Sequence, residues 1–87
     1  MIILIDSGST HNFLDASLWL SLKLSLFNQD SFTVKVANGD MLKTQGACHD
    51  VNLKIQGQDF QVDLNVLSLG DYAMVLGTQW LYTLGLI

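Results

Sequence analysis

The stretch that decides the fold lies at the start of the chain, where an apolar run enters a small polar loop. It is Met1-Ile2-Ile3-Leu4-Ile5-Asp6-Ser7-Gly8-Ser9-Thr10. An apolar run rich in β-branched residues that stops at polar residues and glycine predicts a buried strand followed by a loop. Gly8 permits a tight turn and a close approach of the backbone to the Asp6 carboxylate. The sequence therefore predicts that a buried strand delivers one carboxylate into a tight loop.

A second apolar run ends at glycine near the other end of the chain, at Val75-Leu76-Gly77. Glycine after Leu76 leaves room for another segment to pass. Because both runs are interpreted as buried strands that end at one loop cluster, we expect Asp6 and Gly77 to be neighbours, within about 10 Å. The following residues, Thr78–Tyr82, predict a short helix that stops at Gly85.

The segments between these two runs follow a period of two, which is typical of strands. The alternating apolar positions are Phe32, Val34 and Val36, then Val51, Leu53 and Ile55, then Phe60, Val62, Leu64 and Val66. Asn38-Gly39 predicts a tight hairpin, and Gln56-Gly57-Gln58 a further turn. A helix is expected over Asn12–Leu22 with Asn12 as its N-cap, although the leucines from Leu18 to Leu26 also alternate as in a strand. The pattern indicates a mostly β domain, a small barrel or sandwich, with one or two short helices.

Length and charge exclude several functional classes. The 87 residues allow one domain, and the net charge of −4 comes from eight Asp, no Glu, four Lys and no Arg. Without arginine or a basic patch, nucleic-acid binding is a poor hypothesis. No apolar run approaches the ~20 residues of a membrane span, and Met1–Ile5 is too short for a signal-peptide core. We therefore expect an intracellular, cytoplasmic protein with no membrane partner.

Other conspicuous residues have ordinary structural interpretations. Adjacent residues of a strand point to opposite faces, so Cys48-His49 does not predict a metal site, and a single cysteine forms no internal disulfide. His11 is interpreted as a polar residue near the start of a helix, not as a catalytic base. Trp19 and Trp80 are interpreted as packing residues.

Several of these motifs together resemble a known family. Ile3-Leu4-Ile5-Asp6-Ser7-Gly8-Ser9-Thr10-His11-Asn12-Phe13 is similar to the active-site segment of retropepsin-like aspartic proteases, in particular those of gypsy-type retrotransposon polyproteins of plants. Val36-Ala37-Asn38-Gly39-Asp40 resembles the flap hairpin of that group, and Leu64–Leu67 and Val75–Leu81 resemble its later strands and closing helix. The Asp-Ser-Gly triplet alone is weak, but these motifs in this order and spacing are specific and span nearly the whole chain. The resemblance implies one retropepsin-like domain over residues 1–87, a small, closed, barrel-like half with one or two short helices.

The resemblance also implies roles for individual residues. Asp6 would be the catalytic residue, and the active-site loop would comprise Ser7, Gly8, Ser9 and Thr10. Within that loop, the Ser7 hydroxyl would interlock with a partner loop, the Gly8 amide would lie near the carboxylates, and the Ser9 hydroxyl would bond the outer carboxylate oxygen. Asn38 and Gly39 would form the flap that covers bound peptide. The supporting loop would be Val75, Leu76 and Gly77.

Carboxylate-based peptide hydrolysis needs two Asp side chains at one water, one ionised as base and one protonated as acid. This chain has one Asp-Ser-Gly, and Leu69-Gly70-Asp71 has the wrong order and no preceding apolar strand. The second carboxylate must therefore come from a second copy of Asp6 across a two-fold axis. We expect a homodimeric aspartic endopeptidase that cleaves extended peptides in polyprotein processing, with no metal or organic cofactor.

Besides the active endopeptidase, two other possibilities remain open from the sequence. The family has a further strand before the Asp-bearing strand and another after the Leu-Gly-Leu-Ile position, so we expect a domain truncated at both ends. A truncated domain could be a catalytically inactive protease-like remnant that acts as a dimerisation or peptide-binding module. The third possibility is an unrelated small β domain.

Overall fold

The computed structural model describes residues 2–35 and 38–85, and in this part of the chain strands predominate. The strands are β1 Ile3–Ile5, β2 Phe13–Asp15, β3 Thr33–Lys35, β4 Met41–Lys43, β5 Gly46–Ile55, β6 Gln58–Leu67 and β7 Met74–Leu76. The helices are α1 Ala16–Leu22 and α2 Thr78–Thr83, and a short 3-10 helix, Asn28–Asp30, follows α1. The predicted mostly β fold with two short helices is confirmed.

The larger sheet has five strands in the order β1-β7-β2-β6-β5. Strand β7 is parallel to β1 on one side and antiparallel to β2 on the other, and β2 is in turn parallel to β6. Because parallel strands end at the same edge of a sheet, Asp6 after β1 and Gly77 after β7 leave the sheet side by side. Strands β3 and β4 form a separate two-stranded sheet, so the described strands make two open sheets and not the closed barrel that was expected.

The central strands of the larger sheet are apolar on both faces, whereas the burial predicted for the edge strand β1 is wrong, since Ile3 and Ile5 are exposed. Side chains alternate across a strand, and accordingly Leu14 and Leu76 belong to one buried cluster while Phe13 and Val75 belong to another. Trp80 and Leu81 of α2 cover the first cluster. The second cluster, completed by Leu67 with half-buried residues such as Leu4, Phe32 and Leu69, faces the β3–β4 hairpin. One face of the sheet therefore packs into the core under α2, and the other face forms the wall of a cleft.

The helix predicted over Asn12–Leu22 is wrong in its first part. Residues Phe13–Asp15 form β2, and α1 begins only at Ala16, with Asp15 and not Asn12 as its N-cap. Phe13 and Leu14 pair with both β6 and β7, so the ladder and burial on both faces outweigh any helical preference there. Within α1, Leu20 is 68% exposed.

The tight turn expected at Asn38-Gly39 also differs from the structure. The register pairs Lys35 with Met41, so Asn38 and Gly39 belong to a longer connection, residues 36–40, of which Val36 and Ala37 lie outside the described residues. The side chain of Asn38 accepts a hydrogen bond from the Asp40 N–H at 2.9 Å, and Gly39 has φ 93°. An Asx turn with a left-handed glycine therefore replaces the two-residue turn. Among the described residues, no helix is long and apolar enough to cross a membrane.

Candidate active site

Three hydrogen bonds hold Asp6 at the end of β1, and one of them is made to its carboxylate. The Asp6 N–H donates to the carbonyl of Leu76 at 3.0 Å, and the Asp6 carbonyl accepts from the Ser9 N–H at 3.1 Å. The Gly8 N–H donates to Oδ1 of Asp6 at 2.9 Å, as the close approach expected of Gly8 requires. The half-buried side chain is therefore oriented by the sheet on one side and by its own loop on the other.

The Asp6 loop crosses the backbone at Gly77 with no space for a side chain. A Cβ at position 77 would lie 2.6 Å from the carbonyl oxygen of His11 and closer still to that of Ser9. The Thr78 N–H donates to the Ser9 carbonyl at 2.8 Å. The loops after β1 and β7 are thus in direct contact through Leu76 and Gly77, while Val75 pairs with Leu4 in the sheet and lines the cleft.

Asn12 stabilises the contact between the Asp6 loop and Gly77 by hydrogen bonds, a role that the sequence did not reveal. Its side chain is 1% exposed, with Oδ1 accepting from the Gly77 N–H at 2.8 Å and Nδ2 donating to the Asp63 carbonyl at 3.3 Å. Its own carbonyl accepts from Asn65, at 2.9 Å from the backbone N–H and 3.0 Å from Nδ2. Asn12 therefore connects the Asp6 loop to both β6 and the Gly77 turn. The sequence signal, a polar residue just before a buried pair, was interpreted as a helix cap.

The other loop residues are distributed differently from the expectation. The Ser9 hydroxyl donates its one proton to the His11 carbonyl at 2.8 Å, which leaves none for the outer oxygen of Asp6. Ser7 is exposed. Thr10 Oγ1 lies 2.9 Å from Nδ1 of His11. His11 is not near a helix start, because α1 begins at Ala16, and it faces the cleft instead.

A cleft of about 720 Å³ opens beside Asp6, Gly8, Ser9 and Thr10. Its apolar wall includes Leu4, Phe13, Phe32, Leu67, Leu69 and Val75, and strand β3 contributes Thr33, Val34 and Lys35. Its size is typical of ligand-binding clefts, which measure roughly 300–1,000 Å³. The structure thus brings the hairpin that carries Asn38 and Gly39 to the cleft through β3, while these two residues themselves do not line it.

Asp15 and His49, which both lie away from the cleft, have perturbed pKa values. The Leu69 N–H, followed by the hydroxyl of Ser17, lowers the pKa of Asp15 by hydrogen bonding to its carboxylate. Hydrogen bonding to Asp30, whose Oδ2 lies 2.5 Å from Nε2, raises the pKa of His49, and Asp63 on the other side of the ring adds to the rise. Both groups connect elements and do not face the cleft.

The Cys48-His49 pair has the arrangement predicted from its alternation. Cys48 is buried, and its burial raises the pKa of the thiol, whereas His49 is exposed on the opposite face. Within residues 2–35 and 38–85, no group of three His, Cys, Asp or Glu side chains could hold a metal ion. Trp80 lies in the core, and Trp19 packs against it with Nε1 donating to the Leu24 carbonyl at 2.8 Å.

Comparison with known proteins adds one finding to this geometry. A sequence model described as retroviral aspartyl protease matches residues 1–85, which is nearly the full chain. A search among curated proteins gave no match. The match includes every loop and strand that forms the cleft.

Proposed function

The chain belongs to the retroviral aspartyl protease family, and from that premise we propose that it is an endopeptidase whose active site contains two copies of Asp6. The observation that carries the proposal is the location of the Asp6 carboxylate. Asp6 lines a cleft of about 720 Å³, and the Gly8 N–H orients its carboxylate. Asp6 is also the only carboxylate among the described residues that line this cleft.

One carboxylate per chain supports a homodimeric site. In the proposed reaction one Asp6 removes a proton from water while the other, protonated, donates to the scissile carbonyl oxygen. Two carboxylates about 3 Å apart do not both ionise, so the pair holds one shared proton. The exposed Ser7 and the edge strand β1, whose residues Ile3 and Ile5 are 40% and 55% exposed, lie on the part of the surface that a second copy would meet.

The cleft supports an extended peptide as substrate. Among the described residues β3 and β4 pair only with each other, so an extended chain can pair with the outer edge of this sheet, and the apolar wall offers contacts to its side chains. In this proposal the connection that carries Asn38 and Gly39 closes over the peptide as a lid and excludes water. The biological substrate would be a polyprotein that contains the chain itself.

The test is peptide hydrolysis by the chain and by two matched variants. We expect cleavage of an apolar peptide with an acidic optimum, a rate that rises with the square of protein concentration at low concentration, and inhibition by pepstatin-like mimics. Asp6→Asn should abolish cleavage, because general acid–base transfer alone supplies ~10²–10⁴-fold and both roles belong to this residue. Asp71→Asn, at an exposed position that does not line the cleft, is the control and should retain full activity.

The result also separates the proposal from its main alternative, a catalytically inactive dimerisation or peptide-binding module. Full activity in Asp6→Asn would contradict the dyad. Sedimentation at micromolar concentration would identify a dimer independently of cleavage. A dimer that binds peptide but never hydrolyses it would establish the module instead of the enzyme.

A further inference from the structure

The cleft combines an apolar wall with two basic side chains, in a chain that is acidic as a whole. His11 and Lys35 line it together with Asp6. The chain has eight Asp against four Lys, so one of its few cations faces the cleft while seven of its Asp do not line it. The charges of the one Asp and the one Lys that line the cleft therefore cancel, whereas the chain as a whole carries −4.

The ring of His11 is held in a defined position. Nδ1 lies 2.9 Å from Thr10 Oγ1, and the ring packs against Phe32 with centroids 5.0 Å apart. These contacts fix a half-buried side chain between the Asp6 loop and the start of β3. With Nδ1 engaged by Thr10, Nε2 has no hydrogen-bond partner among the described residues and can present an N–H to a ligand.

Lys35 ends β3, at the point where the hairpin extends beyond the cleft wall. Its side chain is exposed, and no carboxylate of the described residues lies within ion-pairing distance of its ammonium group. An ammonium group offers three donors on a flexible stem, so it can reach a carboxylate held in the cleft. Lys35 and His11 therefore line the same cleft, Lys35 from the β3–β4 hairpin and His11 from the segment that follows the Asp6 loop.

We propose that the cleft selects extended peptides in which an acidic side chain lies close to an apolar one. This inference rests on the proposed function and names its substrate class. The apolar wall would receive the apolar side chain, and Lys35 with His11 would bind the neighbouring carboxylate. In a two-fold symmetric dimer the preference would occur once on each side of the scissile bond. An exposed ion pair is expected to favour the acidic peptide by roughly two- to fivefold per contact.

The experiment compares peptides that differ at one position only. An apolar peptide carries Asp, Asn or Lys at each of the three positions on either side of its centre. Binding to the Asp6→Asn variant is measured by fluorescence anisotropy. The kcat/KM values are measured with the unaltered chain. We expect one position on each side at which the Asp peptide exceeds the Asn peptide by at least about threefold in both affinity and kcat/KM. At that position the Lys peptide should have the lowest values.

Variants of Lys35 and His11 test whether these side chains cause the preference for an acidic peptide. Lys35→Gln and His11→Gln should each lower the Asp/Asn ratio, and Lys35→Glu should favour the Lys peptide instead. Lys54→Gln is the matched control, because Lys54 is exposed on β5 outside the cleft, and it should keep the ratio unchanged.

The outcomes distinguish this inference from the proposed function. Binding with the acidic preference but without cleavage supports the selectivity and overturns the endopeptidase. Cleavage with equal Asp and Asn values, or a ratio unaltered in Lys35→Glu, overturns the selectivity and leaves the endopeptidase in place. Absence of both binding and cleavage overturns both.

Discussion

At the scale of single residues, the candidate site depends on the contact between Asn12 and Gly77. Gly77 has φ −100°, a conformation that any residue adopts, so its identity is dictated by space and not by backbone freedom. The adjacent carbonyls of Ser9 and His11 occupy the volume of a side chain, and Asn12 Oδ1 accepts the Gly77 N–H. Both residues therefore act on Asp6 through the position of its loop.

Gly77→Ala should destabilise the chain by about 3 kcal/mol, the upper end of the range for overpacking, because backbone atoms and not flexible side chains must move. Urea unfolding followed by circular dichroism measures this change. Gly57→Ala is the control: a Cβ there meets nothing within 4 Å, and only its φ of 80° opposes alanine, at about 1–2 kcal/mol. Equal losses in the two variants would show that the crossing at Gly77 can relax.

At the scale of elements, the sequence determined the strands better than their connections. Strands β5 and β6 were predictable because Val51, Leu53 and Ile55 alternate against a solvent-exposed face and the connection at Gln56-Gly57 has φ of 50° and 80°, a type I′ turn. Asn38-Gly39 has the stronger turn signal, yet the register of β3 and β4 places the pair in a longer loop. Local turn preference cannot determine register when both strands are short and β4 is exposed on both faces.

The Asp-bearing loop was predictable in outline for a similar reason. An apolar run, an Asp and a glycine specify a strand and a tight turn locally, so Asp6, Gly8 and Gly77 were found from the sequence. Asn12 and the segment Phe13–Asp15 were missed, because a central strand of three residues has no readable period and is stabilised by partners more than fifty positions away. His11 was misassigned with them, since its environment follows from where that strand begins.

The β3–β4 hairpin should be the least protected part of the described sheets. All three residues of β4 are exposed and the hairpin has no third strand, whereas β2 lies between β6 and β7 with Phe13 and Leu14 buried. Amide hydrogen exchange followed by NMR should be at least about tenfold faster at Val34 and Leu42 than at Leu14, because local opening requires less free energy than global unfolding. Equal protection would argue against a lid and for a packed sheet edge.

At the scale of the whole molecule, two titratable links give stability a preferred pH range. His49 connects the 3-10 helix to β5 and β6 through Asp30 and Asp63, and Asp15 connects the start of α1 to Leu69 before β7. Both are at least partly exposed, so each contribution is reduced by solvent screening. As the pH rises, the contribution of Asp15 to stability increases and that of His49 decreases. Together the two groups therefore define a pH range of highest stability and not a single optimum.

We expect the free energy of unfolding to be highest between about pH 4 and pH 6.5. The pKa of Asp15 is lowered from its ordinary value of 3.8, so its contribution is present above that pH and is lost as the pH falls through the folded-state pKa. The pKa of His49 is raised from 6.5, so its contribution is complete below that pH and is lost as the pH rises through the folded-state pKa. Urea midpoints measured from pH 3 to 9 trace the curve.

The two sides of this curve can be removed separately. His49→Gln should flatten the decline above pH 6.5, and Asp15→Asn should reduce the acid decline while preserving the helix cap, since Asn caps helices as well as Asp does. A decline above pH 6.5 that persists in His49→Gln would assign it to another group.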